Sequence, residues 1–526
     1  MSRIQHVLFQ AGHQRGRDFK GVSGGTSGPA IPTERLSSGN ASSPGLMPAR
    51  LDKTTSTPLG SQDPRFEPFA QRMRDEGLPD LVISTFGHYY DELVGGATGL
   101  IGESAIQPVA SVPRAEHLDA YAAAGRAALD RTVVLKLNGG LGTGMGLEKA
   151  KSLLPVKDGV SFLDTIAMQV LASRERHGVQ LPLLLMNSFS TDADSLEALS
   201  RWKNLDIGMP MSFTQHKVPK VLQEGYAPAP ASYGENAWCP PGHGDLYAAL
   251  QTSGQLDRLL ERGCEYMFVS NSDNLGAVLD ERILGYLAKE KIPFLMEVAD
   301  RTPADSKGGH LAMRPDGRLM LREVAQCPKE DLEAFSDINK HKFFNTNNIW
   351  IHLPSLKAAL EARNGVLPLP LIRNSKTVDP RDANSPKVYQ LETAMGAAIE
   401  VFDGAQALAV PRSRFAPVKA TSDLLVVWSD AYKMMPGGQL APNPQNLHGM
   451  PLVSLDGKHY KFVDQLQQRF PHGAPSLSQC KKLSIEGDVH FGRNVEIHGD
   501  VKIVNRGATP LRIPDGAVID RDLIHE

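Results

Sequence analysis

Val133-Val134-Leu135-Lys136-Leu137-Asn138-Gly139-Gly140-Leu141-Gly142-Thr143-Gly144-Met145-Gly146, followed by Lys151-Ser152, is the stretch on which the fold turns. The apolar run predicts a buried strand. The glycines behind it predict a loop whose backbone comes close to a ligand and points successive N–H groups at one place. That geometry suits a nucleotide or a phosphate. Two familiar glycine motifs fail on spacing. A P-loop needs Gly directly before Lys-Ser, where Ala150 stands; a dinucleotide fingerprint begun at Gly140 or Gly142 needs Gly where Met145 or Leu147 stands. A glycine turn with a purely structural role stays open at this point.

Working outward, the 526-residue chain is longer than one hydrophobic core usually serves, which predicts two or three domains. Its charges nearly cancel, at a formal net −3, so no bulk field draws it to nucleic acid or to an acidic membrane surface. Anionic ligands must then be held by local lysines and loops. Cys239, Cys264, Cys327 and Cys480 are widely spaced and include no Cys-x-x-Cys pair. That speaks against a zinc site or a disulfide framework and for a reducing cytoplasm. No run approaches the roughly 18 continuous apolar residues of a membrane span. The N-terminus lacks an apolar core followed by a small-residue cleavage site, which disfavours a secretory signal.

From Gly21 towards Pro58, Gly, Ser, Pro and Thr dominate without periodicity, so residues 1–58 read as a disordered tail. Met47 follows much of that tract and is a candidate functional start, which makes residues 1–46 dispensable. Residues 59–130 show helical spacing in Phe69, Met73, Leu78 and Leu81, and again from Ala120 to Leu129. They should wrap a catalytic domain at 131–430. There, Ser161-Phe162-Leu163-Asp164 resembles a capping box, and Ile166, Val170 and Leu171 follow at helical spacing until Gly178. Leu181–Met186, Tyr266–Ser270 and Pro293–Val298 read as strands, and Asp280–Lys289 as a helix. This alternation predicts an α/β domain with a mostly parallel, Rossmann-like sheet and helices on both faces, whose ligands bind beyond the carboxyl ends of the strands. The glycine loop, Asn187-Ser188 and Asn271-Ser272-Asp273 all fall there.

Residues 431–526 change character. Ile485, Phe491, Ile497 and Ile503 recur every six residues, and so do Val489, Val495 and Val501. With Gly487 and Gly499 at turns, that period predicts a small parallel β-helix. An antiparallel hairpin shares the alternation and stays open.

Leu137 to Ser152 resembles the nucleotide-binding signature of the eukaryotic-type UTP–glucose-1-phosphate uridylyltransferases, also called UDP-glucose pyrophosphorylases. Further blocks follow in the family's order: Leu184 to Phe189, Pro240 to Asp245, Ser270 to Gly276, Lys307 to Gly309, Phe344 to Asn348, Gln390 to Ala394, and Val410 to Leu424. One block could arise by chance; an ordered series is specific. The resemblance implies a nucleotidyltransferase core and a C-terminal left-handed parallel β-helix, a candidate surface for a homo-oligomer. It also implies the reaction. A glucose 1-phosphate oxygen attacks the α-phosphorus of UTP in line with departing pyrophosphate, reversibly giving UDP-glucose, with Mg2+ as cofactor and no covalent enzyme intermediate.

On the same resemblance, Leu137, Asn138, Gly139 and Gly140 form the nucleotide loop, with Gly139 and Gly140 also on the substrate side. Gln215 contacts the base, Gly242 the nucleotide and His243 the sugar phosphate, while Asn271 and Ser272 flank the nucleotide. Asp273 is the magnesium carboxylate, since magnesium typically takes one or two carboxylates beside phosphate oxygens. An Asp at a strand end is also a common turn residue. Lys151, just past the glycine loop, reaches the departing phosphates. Lys419 is the catalytic lysine at the α-phosphate and the attacking sugar phosphate. Glu323, Asn345 and Asn347 supply polar forks for glucose hydroxyls. Arg412 and Arg414 serve equally well as loop pins and stay outside the catalytic set.

Glu148 and Ala150 stand where animal and plant members carry Lys and Pro, which brings the chain nearer the protist and bacterial branch. An oligomer of the animal type therefore does not transfer. Two rivals remain. A UDP-N-acetylhexosamine pyrophosphorylase usually carries Arg where Gly144 stands. A non-catalytic nucleotide-sugar-binding protein has no need of Lys151, Asp273 and Lys419 together.

Overall fold

The computed structural model describes residue 61 and residues 63–526. The expected tail and the candidate start at Met47 lie outside the described residues. A ten-stranded sheet runs through the middle. Its strands are β1 (Gln107–Pro108), β2 (Thr132–Asn138), β3 (Leu183–Asn187), β4 (Ser212–Thr214), β5 (Tyr266–Asn271), β6 (Phe294–Asp300), β7 (His310–Met313), β8 (Leu319–Arg322), β9 (Phe343–His352) and β10 (Gln406–Ala409). Alternate residues along the strands serve opposite faces. Leu135, Leu184, Met267 and Val298 enter one core, and Val134, Leu183, Phe268 and Trp350 another. Each such burial contributes roughly 1.5–3 kcal/mol.

β5, β2, β3 and β4 lie side by side and parallel, with Asn271 level with Leu137 and Asn138 level with Asn187. Their register brings the ends of these strands to one edge, where the glycine loop begins. The expectation of a mostly parallel sheet is corrected at β9. That strand runs antiparallel to β5, β6 and β7, and β7 in turn pairs antiparallel with β1 and β8, so the sheet is mixed. The amides of Asn345-Thr346-Asn347-Asn348 disguise this ten-residue strand in the sequence. They are accommodated because the register slips between Glu297 and Val298 of β6, a β-bulge that carries Asn347 at φ 58°.

The helices that frame the site are α1 (Glu67–Asp75), α2 (Asp80–Val94), α3 (Phe162–His177), α4 (Glu281–Lys289) and α5 (Thr421–Trp428). α1 and α2 bury Phe69, Met73, Phe86 and Tyr90 against Val218, Trp238, Leu371 and Val388. Between Ala120 and Leu129 only Ala122–Arg126 is α-helical, flanked by 3-10 turns. Gly125 there presses on α4 so closely that a Cβ would meet the Glu281 carbonyl oxygen at 1.6 Å. The capping box of α3 forms as the sequence suggests: Ser161 Oγ accepts the Asp164 N–H at 3.1 Å and the Asp164 carboxylate accepts the Ser161 N–H at 3.1 Å. Gly178, at φ 66°, closes the helix.

In the C-terminal part, the residues at six-residue spacing are all buried, between 0% and 3% exposed. Tyr432–Met434 and Leu440–Pro442 pair antiparallel, but the ladders formed by the repeat itself are all parallel. Cys480–Glu486 pairs with Gly499–Asn505, which pairs with Leu523–His525; Val489–Phe491 pairs with Leu511–Ile513, and Glu496–Ile497 with Val518–Ile519. For the six-residue repeat an antiparallel hairpin is therefore excluded. This core runs on without a break into Met145, Leu275 and Val418, the underside of the loops described next. Among the described residues, no helix is long and apolar enough to cross a membrane, and the four cysteines are free and buried.

Candidate active site

One side of the candidate site is built from the ends of β2, β3 and β5. Leu137 is paired on both flanks, and its carbonyl accepts the Ser272 N–H at 3.0 Å, so the loop after β5 is tied to the start of the glycine loop. Asn138 turns its side chain inward, donating to Asn187 Oδ1 at 2.8 Å and Ser195 Oγ at 2.9 Å. Its contribution at the edge is thus the backbone alone. Gly139 faces Gln215, where a Cβ would meet the amide Nε2 at 2.8 Å, while Gly140 opens on free space. Gln215 is held because its N–H donates to the Asn187 carbonyl at 2.7 Å and the next residue, His216, is gripped by Asp245 at 2.9 Å.

Lys151 and Asp273 meet across this edge, Nζ to Oδ2 at 2.7 Å, with side chains 15% and 19% exposed. Lys151 Nζ also donates to the Val418 carbonyl. Val418 N–H donates to the Asp273 carbonyl at 3.2 Å, so the segment that carries Lys419 lies directly beside both. Lys419 itself is exposed, its ammonium 6.0 Å from the centre of the Phe415 ring. Asp273 Oδ1 is buried without a partner in the protein.

The other side, around Glu323, Asn345 and His243, is equally compact. The Glu323 carboxylate lies under Gly309, where a Cβ would come within 2.6 Å of it. Burial raises its pKa above the usual carboxylate range, opposed by the charge of Lys419 and a hydrogen bond from Asn345. Asn345 Nδ2 donates to Asn347 Oδ1 at 2.9 Å and the Asn347 N–H returns to Asn345 Oδ1 at 3.0 Å. Gly242, at φ 80°, brings its loop against Thr393, whose carbonyl a Cβ would meet at 2.4 Å. His243 accepts the Met395 N–H at Nδ1, 2.9 Å away, which leaves the proton on Nε2 when the ring is neutral. Burial holds it neutral, with a pKa pushed down to about 4.

Of the residues singled out in the sequence, Leu137, Asn138, Asn271, Asn345 and Asn347 lie in β2, β5 and β9, and the others in turns and loops outside the sheet. Sequence reading missed Asn274, Glu297 and Lys136. Lys136 lies 2% exposed beneath the glycine loop, donating to Ser270 Oγ at 2.6 Å and the Ala277 carbonyl at 2.9 Å. Burial, reinforced by Arg414, lowers its pKa to about 7. The available signal was a lone charge inside an apolar strand, at Lys136 in β2 and at Glu297 in β6.

A backbone cup at the edge of parallel strands, with lysines and a carboxylate gathered at its rim, belongs to the class of α/β enzymes that transfer nucleotidyl groups. Comparison with known proteins narrows the class. The family model described as UTP–glucose-1-phosphate uridylyltransferase matches residues 83–498. The uridylyltransferase of Solanum tuberosum is 45% identical over 394 residues, 74% of this chain and 80% of the relative. A variant UDP-glucose pyrophosphorylase of Leishmania major, solved in complex with UDP-glucose, superposes with a TM-score of 0.82 at 46% identity, covering 88% of this chain and 100% of that one. The UDP-glucose phosphorylase of Trypanosoma brucei gives 0.81 at 44% identity, covering 88% and 100%. The chain belongs to the UTP–glucose-1-phosphate uridylyltransferase family.

Proposed function

We infer that this protein joins UTP and glucose 1-phosphate into UDP-glucose and pyrophosphate, reversibly, by in-line attack on the UTP α-phosphate. The observation that carries the reading is the Lys151–Asp273–Val418 junction beside the glycine cup, in a chain of this family. Leu137, Asn138, Gly139 and Gly140 present backbone to the nucleotide, Gln215 offers an amide to the base, and Gly242 lets its loop approach. Asn271 and Ser272 hold the nucleotide from the side of β5. Lys151 exchanges Asp273 for the oxygens of the departing pyrophosphate, and Lys419 steadies the α-phosphate and the attacking phosphate. His243 donates a hydrogen bond through Nε2–H to the sugar phosphate, and Glu323, Asn345 and Asn347 accept and donate at glucose hydroxyls. Positioning and fixed positive charge then do the chemistry, with no covalent intermediate.

The unpartnered Oδ1 of Asp273 fits a magnesium ion. Among the described residues no three His, Cys, Asp or Glu side chains gather as a metal site; magnesium typically takes one or two carboxylates beside phosphate oxygens. Asp273 would hold the ion, which would supply positive charge to the α-phosphate.

Glucose is favoured over N-acetylhexosamine because Gly144 replaces the rival's Arg although nothing lies within 4 Å of its Cβ position. The fold does not force a glycine there. Residues 59–130 read as the helical wrap, 131–430 as the catalytic domain and 431–526 as a left-handed β-helix supported by the parallel ladders. That module is the proposed seam of a homo-oligomer in the cytoplasm, which sedimentation tests. Pyrophosphate release from UTP with glucose, galactose or N-acetylglucosamine 1-phosphate tests the substrate. A clear preference for glucose supports the reading. Tight UDP-glucose binding without magnesium-dependent release would leave a binding protein instead.

A further inference from the structure

Lys419 must be aimed, and its exposed side chain has no rigid support of its own. Its aim comes from the backbone before it. We propose that Asn274, backed by the buried Arg414–Glu297 pair, is a positioning residue that holds Lys419 in register with Asp273. The proposal rests on the role given to Lys419 above.

Asn274 sits one residue past Asp273 and is 2% exposed. Its Oδ1 accepts the Ala416 N–H at 2.9 Å, and its Nδ2 donates to the Arg414 carbonyl at 3.1 Å and to Asn348 Oδ1 at 3.2 Å. One amide therefore grips the 414–416 backbone by a donor and an acceptor together. A bridge between Asn274 and Pro417 continues the contact towards Val418. On the far side of the segment, Arg414 forks onto Glu297, Nε to Oε2 at 2.9 Å and Nη2 to Oε1 at 2.6 Å, and donates to the Val278 carbonyl at 2.8 Å.

Glu297 is fully buried and also accepts from Trp350 Nε1 at 2.8 Å and Asn348 Nδ2 at 3.0 Å. A carboxylate so deep is tolerated only when paired and saturated with donors, as here. Gly276 permits the close approach, since a Cβ there would meet the Ser413 carbonyl at 2.4 Å. The polar groups of Asn274, Glu297 and Arg414 are engaged with one another and with the surrounding backbone and side chains, which makes them supports and not substrate contacts. What they fix is the distance between the loop that bears the metal carboxylate and the loop that bears the lysine, and such distances set rates steeply.

A double-mutant cycle between Asn274→Ala and Lys419→Ala tests this, read by kcat for pyrophosphorolysis, by UDP-glucose affinity and by Tm. Asn274→Ala is expected to lower kcat by about 10- to 100-fold with the UDP-glucose Kd within about twofold. In the Lys419→Ala background the same change should cost less than about threefold, because its target is gone. Losses that multiply, or an undiminished kcat in Asn274→Ala, overturn the positioning role while leaving Lys419 in place. Wild-type turnover in Lys419→Ala alone overturns the role of Lys419, and this proposal with it. Should Asn274→Ala fail to fold, Arg414→Lys, which keeps the charge against Glu297 but loses the fork, takes its place under the same criteria.

Discussion

At the scale of single residues, Gly139 and Gln215 show how a missing side chain can matter. An added Cβ at Gly139 would lie 2.8 Å from the Gln215 amide, which is the flexible end of its chain and can swing aside. Gly139→Ala is therefore expected to leave Tm unchanged and raise the KM for UTP about tenfold, the worth of one hydrogen bond; an unchanged KM would remove Gln215 from the base site. A second residue pair governs acid stability. His310 and His341 stack at 3.9 Å, both fully buried, facing Arg301, Arg322 and Glu103. Burial, helped by the charge of His341, holds His310 down to about 3, and burial also lowers His341. The folded protein thus leaves the His310 ring neutral while the unfolded chain protonates it as pH falls through 6.5, so stability is lost from there downward. Melting curves between pH 7 and 5 should show a falling Tm that His310→Phe, which keeps the stack, makes shallower. An equal slope in both proteins would contradict this.

At the scale of elements, what was legible followed from local rules. The capping box of α3 stood in four adjacent residues, and its worth can be measured: Ser161→Ala should cost about 1 kcal/mol by denaturant titration, while no loss would show the cap to be idle. The parallel strands showed as apolar runs. β9 did not, because a strand with four successive amide or hydroxyl residues becomes stable only once β6 and Arg414 supply partners for them. Nor did the Ala120–Leu129 pattern foresee that Gly125 meets α4 backbone to backbone. Candidate site residues were legible where a motif is contiguous, as in the glycine loop. The contact of Lys151 with Asp273, 122 residues away, and of Arg414 with Glu297, 117 residues away, exists only in the folded chain.

At the scale of the whole molecule, the glycine loop rests on the C-terminal part. A Cβ at Gly146 would meet the Phe462 ring at 3.0 Å, and Met145 shares a core with Tyr460 and Ile485. The conformation of the loop is therefore tied to the packing of that part. Deleting residues 1–46, which lie outside the described residues, should leave both the turnover rate and Tm as they were; a substantial fall in either would reject a functional start at Met47. The most direct test of the convergence of Lys151, Asp273 and Lys419 is the initial rate of pyrophosphate release from UTP and glucose 1-phosphate, with and without Mg2+, in the wild type, Asp273→Ala and Lys419→Ala. The expected result is magnesium-dependent release by the wild type and a loss of about 100-fold or more in each folded variant. Wild-type, magnesium-dependent release by either variant, or none by the parent, would contradict it.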